Sequence, residues 1–176
     1  MKIAICTSDD AELLLQYNLD NAERFARWNP AVNADFYTLE WWQFRVEEWD
    51  RRFMAGTEVH FLGVDETAHR LIGVCSLTNI VYSAASFCFM GYSVDRREEG
   101  TGAMTKIVEH TIRYAFDVLN LNRISASYMP VNLRSGRLLT KLGFEKEGYS
   151  KRLLKINGQW EDHINTALLN PHPDFL

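Results

Sequence analysis

The segment that decides the fold runs from Tyr92 to Met104 and reads YSVDRREEGTGAM. A β-like stretch ends at Val94, a polar turn follows, and Gly100 and Gly102 precede a long amphipathic run. The first N–H groups of an α-helix lack partners within the helix, and the helix dipole places partial positive charge at that end. Glycines let such amides turn inward and leave room for a close ligand. The segment therefore predicts a strand, a loop and a helix that together hold an anion such as a pyrophosphate.

Two other phosphate-binding loops fit this segment poorly. No Gly-Lys-Ser/Thr follows the glycines, which excludes a Walker loop. The third glycine of the dinucleotide fingerprint is absent, and the preceding strands are predicted to be antiparallel rather than part of a repeating βαβ pattern. A Gly-x-Gly before a helix can also be only a tight turn, and the residues alone leave that alternative open.

Hydrophobic periodicity predicts a mixed α/β chain around this loop, in the order β-α-α-β-β-β-α-β-α-β-β. Short polar links between the second, third and fourth strands favour an antiparallel meander. Strands are predicted at residues 2–6, 59–64, 71–80, 87–94, 123–128, 149–156 and 159–168. Helices are predicted from the Ser8-Asp9-Asp10 cap through Leu19, from Thr38 to near Gly56, over 103–119 with Val118 on the apolar face, and over 132–142.

Length and charge narrow the functional classes. The 176 residues fit a single domain over 1–176, and the net charge of −4 leaves no broad basic footprint for nucleic acid. No run of about 18 apolar residues is present, and the three cysteines are too few and too scattered for a disulfide framework. The five histidines have no metal-ligand spacing. We therefore expect a cytoplasmic protein, monomer or homodimer, with no membrane, nucleic-acid or metal partner.

Several stretches, concentrated in the last 50 residues, resemble one enzyme family. They are residues 21–30, residues 91–104, Tyr128-Met129-Pro130, Asn132, Arg134-Ser135-Gly136, residues 142–149 (LGFEKEGY), Asn157-Gly158-Gln159-Trp160 and Asp162-His163. The chain resembles the GNAT superfamily of acetyl-CoA-dependent N-acetyltransferases, and within it the RimJ/RimL branch that acetylates ribosomal-protein N-termini, most closely the RimJ type. The resemblance implies an α/β (α+β) GNAT fold: a mixed, mostly antiparallel central sheet flanked by helices and splayed between strands 4 and 5. It also implies acetyl-CoA as co-substrate.

The superfamily's loop pattern, Gln/Arg-x-x-Gly-x-Gly/Ala, can be laid on this chain in two registers. Arg97, Gly100 and Gly102 satisfy it formally. The register favoured by the resemblance instead places Glu99 at the Gln/Arg position and Met104 at the final Gly/Ala. An acid then lies beside the expected pyrophosphate, so we expect either that Glu99 points to solvent or that coenzyme affinity is reduced. Most of the hydrogen bonds to the pyrophosphate are expected to come from backbone N–H groups, those of Gly100, Thr101, Gly102, Ala103 and Met104.

The resemblance also assigns roles near the thioester. A backbone N–H among Tyr92, Ser93 and Val94 is expected to polarise the acetyl carbonyl. Asn132 is expected to contact the pantetheine arm, and Ser135 to protonate the departing sulfur. Tyr128, at the end of its predicted strand, is the rival acid. From the residues alone, the favoured interpretation is that Asn132 is a helix N-cap, Ser135 an ordinary first-turn residue and Tyr128 a packing residue.

Glu58 is the candidate general base, because the RimL type uses an acid at about this position although the RimJ type does not. A solvated surface carboxylate is the alternative interpretation, and the histidines offer no better base. Deprotonating an α-amine at pH 7 costs about 1.4 kcal/mol, against about 4.6 kcal/mol for a lysine side chain. The absence of an obvious strong base therefore favours the α-amine of a peptide N-terminus over a lysine side chain as the acetyl acceptor.

The aromatic cluster of Trp28, Phe36, Tyr37, Trp41 and Trp42 either walls a peptide groove or packs in the core, and Trp160 has the same two interpretations. The sequence as a whole predicts acetyl transfer to a protein α-amine, with a ribosomal protein beginning with Ala or Ser as the acceptor. A GNAT enzyme acting on a polyamine or amino-sugar, and a catalytically silent acyl-CoA-binding regulatory module, remain alternatives.

Overall fold

The computed structural model describes residues 1–172 and arranges its strands and α-helices in the predicted order. The strands are β1 (Lys2–Ile5), β2 (Val59–Asp65), β3 (Arg70–Val81), β4 (Phe87–Val94), β5 (Arg123–Tyr128), β6 (Glu145–Ile156) and β7 (Gln159–Leu169). The helices are α1 (Ala11–Phe25), α2 (Leu39–Met54), α3 (Ala103–Arg113) and α4 (Leu133–Lys141). Within the described range, no helix is both long and apolar enough to cross a bilayer.

One seven-stranded sheet runs in the order β1-β2-β3-β4-β5-β7-β6. Neighbouring strands are antiparallel except β4 and β5, which are parallel. Residues Phe87–Phe89 pair with Arg123–Ser125, and beyond them the two strands separate. The predicted mixed, mostly antiparallel sheet with a splay between strands 4 and 5 is confirmed.

The two faces of the sheet carry separate cores, because side chains alternate along each strand. On one face α3 and α4 bury Ile107, Val108 and Leu139 against Leu77 and Ile124. On the other, α1 and α2 bury Leu14, Trp42 and Val46 against Leu62 and Leu71. The site therefore lies where the splay opens between these two layers.

Helix ends differ from the sequence prediction at both ends of α1 and at the end of α3. Residues Ser8–Asp10, predicted as the cap and first turn, form a 3₁₀ turn with Thr7 at its N-cap, and α1 runs from Ala11 to Phe25, six residues beyond the predicted Leu19. The regular part of α3 ends at Arg113 and continues as a π-helical turn through Val118. The wider turn shifts the apolar stripe, so Ala115 is fully buried while Val118 is 64% exposed. The placement of Val118 on the apolar face was therefore wrong.

Candidate active site

The glycine loop presents open backbone donors at the start of α3. Gly100 and Gly102 have φ of +80° and +84°, and a Cβ on either would meet no atom within 4 Å. Gly102 caps α3 in the left-handed conformation, and Thr101 Oγ1 accepts the Ala103 N–H at 3.2 Å. Within residues 1–172, the N–H groups of Gly102 and Met104 have no hydrogen-bond partner. Free amides, empty space and a helix N-terminus together suit a diphosphate.

A buried carboxylate fixes the loop to α1. Asp95 is fully buried and accepts the Arg97 N–H at 2.8 Å and its guanidinium at 2.8 and 2.7 Å. Asn21 donates to the same carboxylate at 3.3 Å and accepts the Arg96 N–H at 3.0 Å. Burial acts to raise the pKa of Asp95, but the bonds from Arg97 and Asn21 outweigh it and lower that pKa to about 2. Arg97 also pairs with Asp20, so its side chain is used for anchoring.

Glu99 does not point freely to solvent, which was one of the two expectations from the sequence. Its side chain is 25% exposed and lies between two arginines: Arg24 Nη1 lies 2.7 Å from Oε1, and Arg134 Nη1 contacts Oε2. Arg24 also donates to the carbonyl of Val94 at the end of β4. The two guanidinium groups and the one carboxylate together carry a net positive charge at this side of the glycine loop. The acid is therefore neutralised within the protein instead of facing solvent or the anion alone.

A pair of hydroxyl groups joins β4 to α4 beside the splay. Tyr92 Oη lies 2.7 Å from Ser135 Oγ, and burial raises the pKa of Tyr92 to about 12 although the Ser135 bond lowers it. Asn132 Oδ1 accepts the Ser135 N–H at 3.2 Å, so Asn132 is the N-cap of α4. Sequence reasoning assigned only the backbone of Tyr92 to the site. Strand alternation, which places Tyr92 on the same face as α4, was the available signal.

Tyr128 packs against α4. A Cβ added at Gly136 would lie 2.8 Å from Tyr128 Cε2 and 3.0 Å from its Oη, so only glycine allows this ring so close to the helix. Tyr128 is half-buried at the end of β5, close to the helix that carries Ser135.

Glu58 is buried rather than solvated, with 8% of its surface exposed. Its Oε1 accepts Arg52 Nη1 at 2.5 Å, and its Oε2 lies 3.0 Å from His60 Nε2. His60 Nδ1 lies 2.7 Å from Ser76 Oγ, and the imidazole stacks on Trp49 with ring centroids 3.8 Å apart. The alternative interpretation of Glu58 as a solvated carboxylate was therefore wrong. Sequence reasoning did not connect Glu58 with His60, although Glu58 directly precedes β2 and residues two apart in extended backbone point to the same side.

A shallow cavity of about 280 Å³ lies between the end of α1 and the tip of the β6–β7 hairpin. It is lined by Arg27, Met129, Ile156, Asn157, Gln159 and Glu161. A neighbouring cleft of about 60 Å³ is lined in part by Phe36 and Tyr37. The predicted aromatic cluster is thus divided, because Trp42 is buried in the core while Phe36 and Tyr37 border the cleft. Trp160 is 60% exposed and lines neither space.

A parallel strand pair that separates beside a glycine loop at a helix N-terminus defines an acyltransferase fold of the GNAT class. The chain matches the Acetyltransferase (GNAT) domain family over residues 3–145 and belongs to that family. The chain is accordingly an acetyltransferase, and GNAT acetyltransferases use acetyl-CoA as the acyl donor.

Named relatives and one solved structure agree with this assignment. The chain is 41% identical to a probable N-acetyltransferase of Bacillus subtilis, YjcK, over 92% of this chain and 90% of that protein. It is 37% identical to the ribosomal protein uS5-alanine N-acetyltransferase of Escherichia coli, over 92% of this chain and 84% of that protein. The crystal structure of the ribosomal-protein-S5-alanine acetyltransferase from Vibrio fischeri superposes with a TM-score of 0.95 at 35% identity, covering 98% of this chain and 94% of that one.

Proposed function

We propose that this enzyme transfers an acetyl group from acetyl-CoA to the N-terminal α-amine of a protein, and that the acceptor is a ribosomal protein beginning with Ala or Ser. The names of the Escherichia coli and Vibrio fischeri relatives support this acceptor class. Such an acceptor would place the enzyme in the cytoplasm.

The pairing of acids on α2 and before β2 is the observation that carries this choice over a polyamine. A polyamine carries several positive charges and needs uncompensated acids to bind it. Glu58 and Glu48 are each paired with Arg52, and Glu48 also with Arg45 at 3.3 Å. Glu47 and Asp50 lie on the exposed side of α2, away from its buried face. These four acids thus form no uncompensated cluster, which favours an acceptor with a single amine.

The loop of residues 99–104 would hold the coenzyme, with the free N–H groups of Gly102 and Met104 directed to the diphosphate. Asn132 caps α4 through its carboxamide oxygen, so its nitrogen is left to donate to the pantetheine arm. Past Phe89, the β4 edge that faces β5 lacks a strand partner, which frees a backbone N–H near Tyr92, Ser93 or Val94 for the acetyl carbonyl. Bound acetyl-CoA supplies an activated acyl group and a thiolate leaving group.

Ser135 is the proposed acid for the sulfur. The Tyr92 hydroxyl lies 2.7 Å from Ser135 Oγ and is protonated at neutral pH. In the proposed mechanism it donates to Ser135 Oγ, which leaves the serine proton free to move to the sulfur. Tyr128 remains the alternative acid at the end of β5.

The shallow cavity beside the β6–β7 hairpin suits the first residues of a peptide. Its wall combines apolar Met129 and Ile156 with the amides of Asn157 and Gln159, which can bind a peptide main chain. An α-amine also needs less help than a lysine to lose its proton, by about 3 kcal/mol at pH 7.

Incubation of the enzyme with acetyl-CoA and a panel of acceptors tests the proposal. The panel contains peptides with N-terminal Ala or Ser, the same peptides already N-acetylated but carrying an internal Lys, spermidine and an amino-sugar. Thiol release and mass spectrometry should report acetylation of the free N-termini alone. Faster turnover of spermidine or the amino-sugar would contradict the proposal, and calorimetric binding of acetyl-CoA without transfer to any acceptor would indicate a silent acyl-CoA-binding module.

A further inference from the structure

Three side chains form a continuous hydrogen-bonded chain on the α1/α2 face of the sheet. Glu58 Oε2 lies 3.0 Å from His60 Nε2, and His60 Nδ1 lies 2.7 Å from Ser76 Oγ. An ionised carboxylate can only accept, so Glu58 takes the Nε2–H. His60 Nδ1 is then an acceptor, and the Ser76 hydroxyl donates to it.

The Ser76 end of this chain borders an open part of the site. Ser76 pairs directly with Gly91 across β3 and β4, and His60 pairs with Ser76 across β2 and β3. Gly91 is exposed, and a Cβ built on it would meet no atom within 4 Å. Directly opposed residues of antiparallel strands lie about 5 Å apart, so the Ser76 hydroxyl lies beside this space. Gly91 immediately precedes the Tyr92–Val94 backbone proposed for the acetyl carbonyl.

We propose that Ser76 is a further catalytic residue, which takes the proton of the acceptor ammonium and passes its own proton to His60. This assignment rests on the proposed function. The N–H⁺ bond of the ammonium breaks and its proton goes to Ser76 Oγ, while the Ser76 O–H proton goes to His60 Nδ1. The amine keeps the electron pair of the broken bond for attack on the acetyl carbon. After the product leaves, His60 returns the proton to water through Ser76.

His60 and Glu58 are positioning residues in this scheme. Glu58 orients the imidazole and stabilises the imidazolium through the Nε2–H bond, while Arg52 holds the second carboxylate oxygen. Trp49 stacks on the ring and keeps it from turning. The relay therefore uses Glu58 without requiring this buried carboxylate to reach the amine.

Burial, together with two nearby arginines, keeps His60 neutral until it receives the proton. Burial lowers the pKa of His60 and outweighs the Glu58 bond and charge, which raise it; Arg45 and Arg52 of α2 lower it further. Glu48, the other facing acid of α2, is paired with these two arginines. On β3 the facing group is the uncharged Ser76.

The test compares Ser76→Ala, Ser76→Thr and Thr78→Ala with the wild-type enzyme. Thr78 lies two residues along β3 on the same face and serves as the matched control. At about pH 7, Ser76→Ala should lower kcat/KM for an N-terminal Ala peptide about 100-fold and leave the Kd for acetyl-CoA unchanged. The defect should shrink several-fold by pH 9.5, because the α-amine then loses its proton to water. Ser76→Thr, which keeps a hydroxyl, should recover most of the activity, and Thr78→Ala should match wild type.

A second readout does not depend on turnover. ¹⁵N NMR of labelled histidine should report His60 as the neutral Nε2–H tautomer in the wild-type enzyme, with a changed Nδ1 shift in Ser76→Ala. A wild-type enzyme that acetylates no N-terminal peptide overturns the proposed function. If instead wild type acetylates peptides and Ser76→Ala equals it, or shows the same defect at pH 7 and pH 9.5, or if His60 is the Nδ1–H tautomer, the relay alone is overturned.

Discussion

Arg24 Nη1 lies 2.7 Å from Glu99 Oε1, which joins the acid of the glycine loop to the last turn of α1. Arg134 approaches the same carboxylate from α4, so one side chain connects three elements around the sheet opening. The loop therefore carries an acid without presenting an uncompensated negative charge to the coenzyme.

Glu99→Gln should tighten acetyl-CoA binding several-fold at low salt. The glutamine oxygen can still accept a hydrogen bond from Arg24, and Asp95 continues to anchor the loop. The main change is therefore that the charges of Arg24 and Arg134 are no longer offset by Glu99 and attract the diphosphate more strongly. Titration calorimetry at low ionic strength and at about 0.5 M salt measures this, and the gain should vanish at the higher salt. Glu109→Gln removes the same charge from an exposed position further along α3 and should have no effect. Weaker binding by Glu99→Gln would show that the carboxylate is needed to hold the loop.

Gly102→Asp should abolish detectable acetyl-CoA binding, a loss of at least about 100-fold. The new side chain occupies the space in front of α3, strains a residue with φ of +84° and places a carboxylate where the diphosphate is proposed to bind. Gly158→Asp is the matched control, since Gly158 has φ of +83° and open surroundings in the β6–β7 turn. Both variants should lose similar stability, so unchanged acetyl-CoA affinity in Gly102→Asp would refute the proposed loop site.

Ser135→Ala should lower kcat by about 10-fold or more and change the Kd for acetyl-CoA little, because a proton donor to the sulfur acts only as the thiolate leaves. Tyr92→Phe keeps the ring but removes the hydroxyl that lies 2.7 Å from Ser135 Oγ, and should have a smaller effect in the same direction. The double variant should be no slower than Ser135→Ala, since Tyr92 acts through the serine. Kinetics equal to wild type in Ser135→Ala would leave Tyr128 as the candidate acid.

Stability should fall as the solution is acidified from about pH 4 to pH 2. The pKa of Asp95 is about 2 in the folded protein and about 3.9 in an unfolded chain, so the folded state favours the ionised form. This group contributes about 2 kcal/mol that is fully present above pH 4 and is lost as protonation proceeds toward pH 2. Thermal melting across this range measures the loss, and Asp95→Asn should lower the Tm at neutral pH and flatten its acid dependence. If the Tm of Asp95→Asn falls between pH 4 and pH 2 as steeply as that of the wild type, other carboxylates cause the loss of stability.

Elements with a strong local pattern were predicted well. The bounds of β4 and β5 match the apolar runs at 87–94 and 123–128, and Thr38 caps α2 through Trp41 N–H as expected. The prediction was wrong at the end of α3, because a π-helical turn depends on how residues 114–118 pack against the sheet rather than on local propensity. β6 begins at Glu145 rather than at residue 149 for a similar reason, since its first residues are exposed and owe their strand conformation to pairing with β7.

The amino-acid sequence by itself determined the order of the elements, the glycine loop at a helix start and the resemblance to the acetyltransferase family, because each depends on residues adjacent in the chain. Only the tertiary structure decided the surroundings of Glu99, the link from Tyr92 to Ser135 and the chain from Glu58 through His60 to Ser76. These contacts join residues up to 75 positions apart. Their geometry depends on strand register and on how helices dock on the sheet, which local periodicity does not specify.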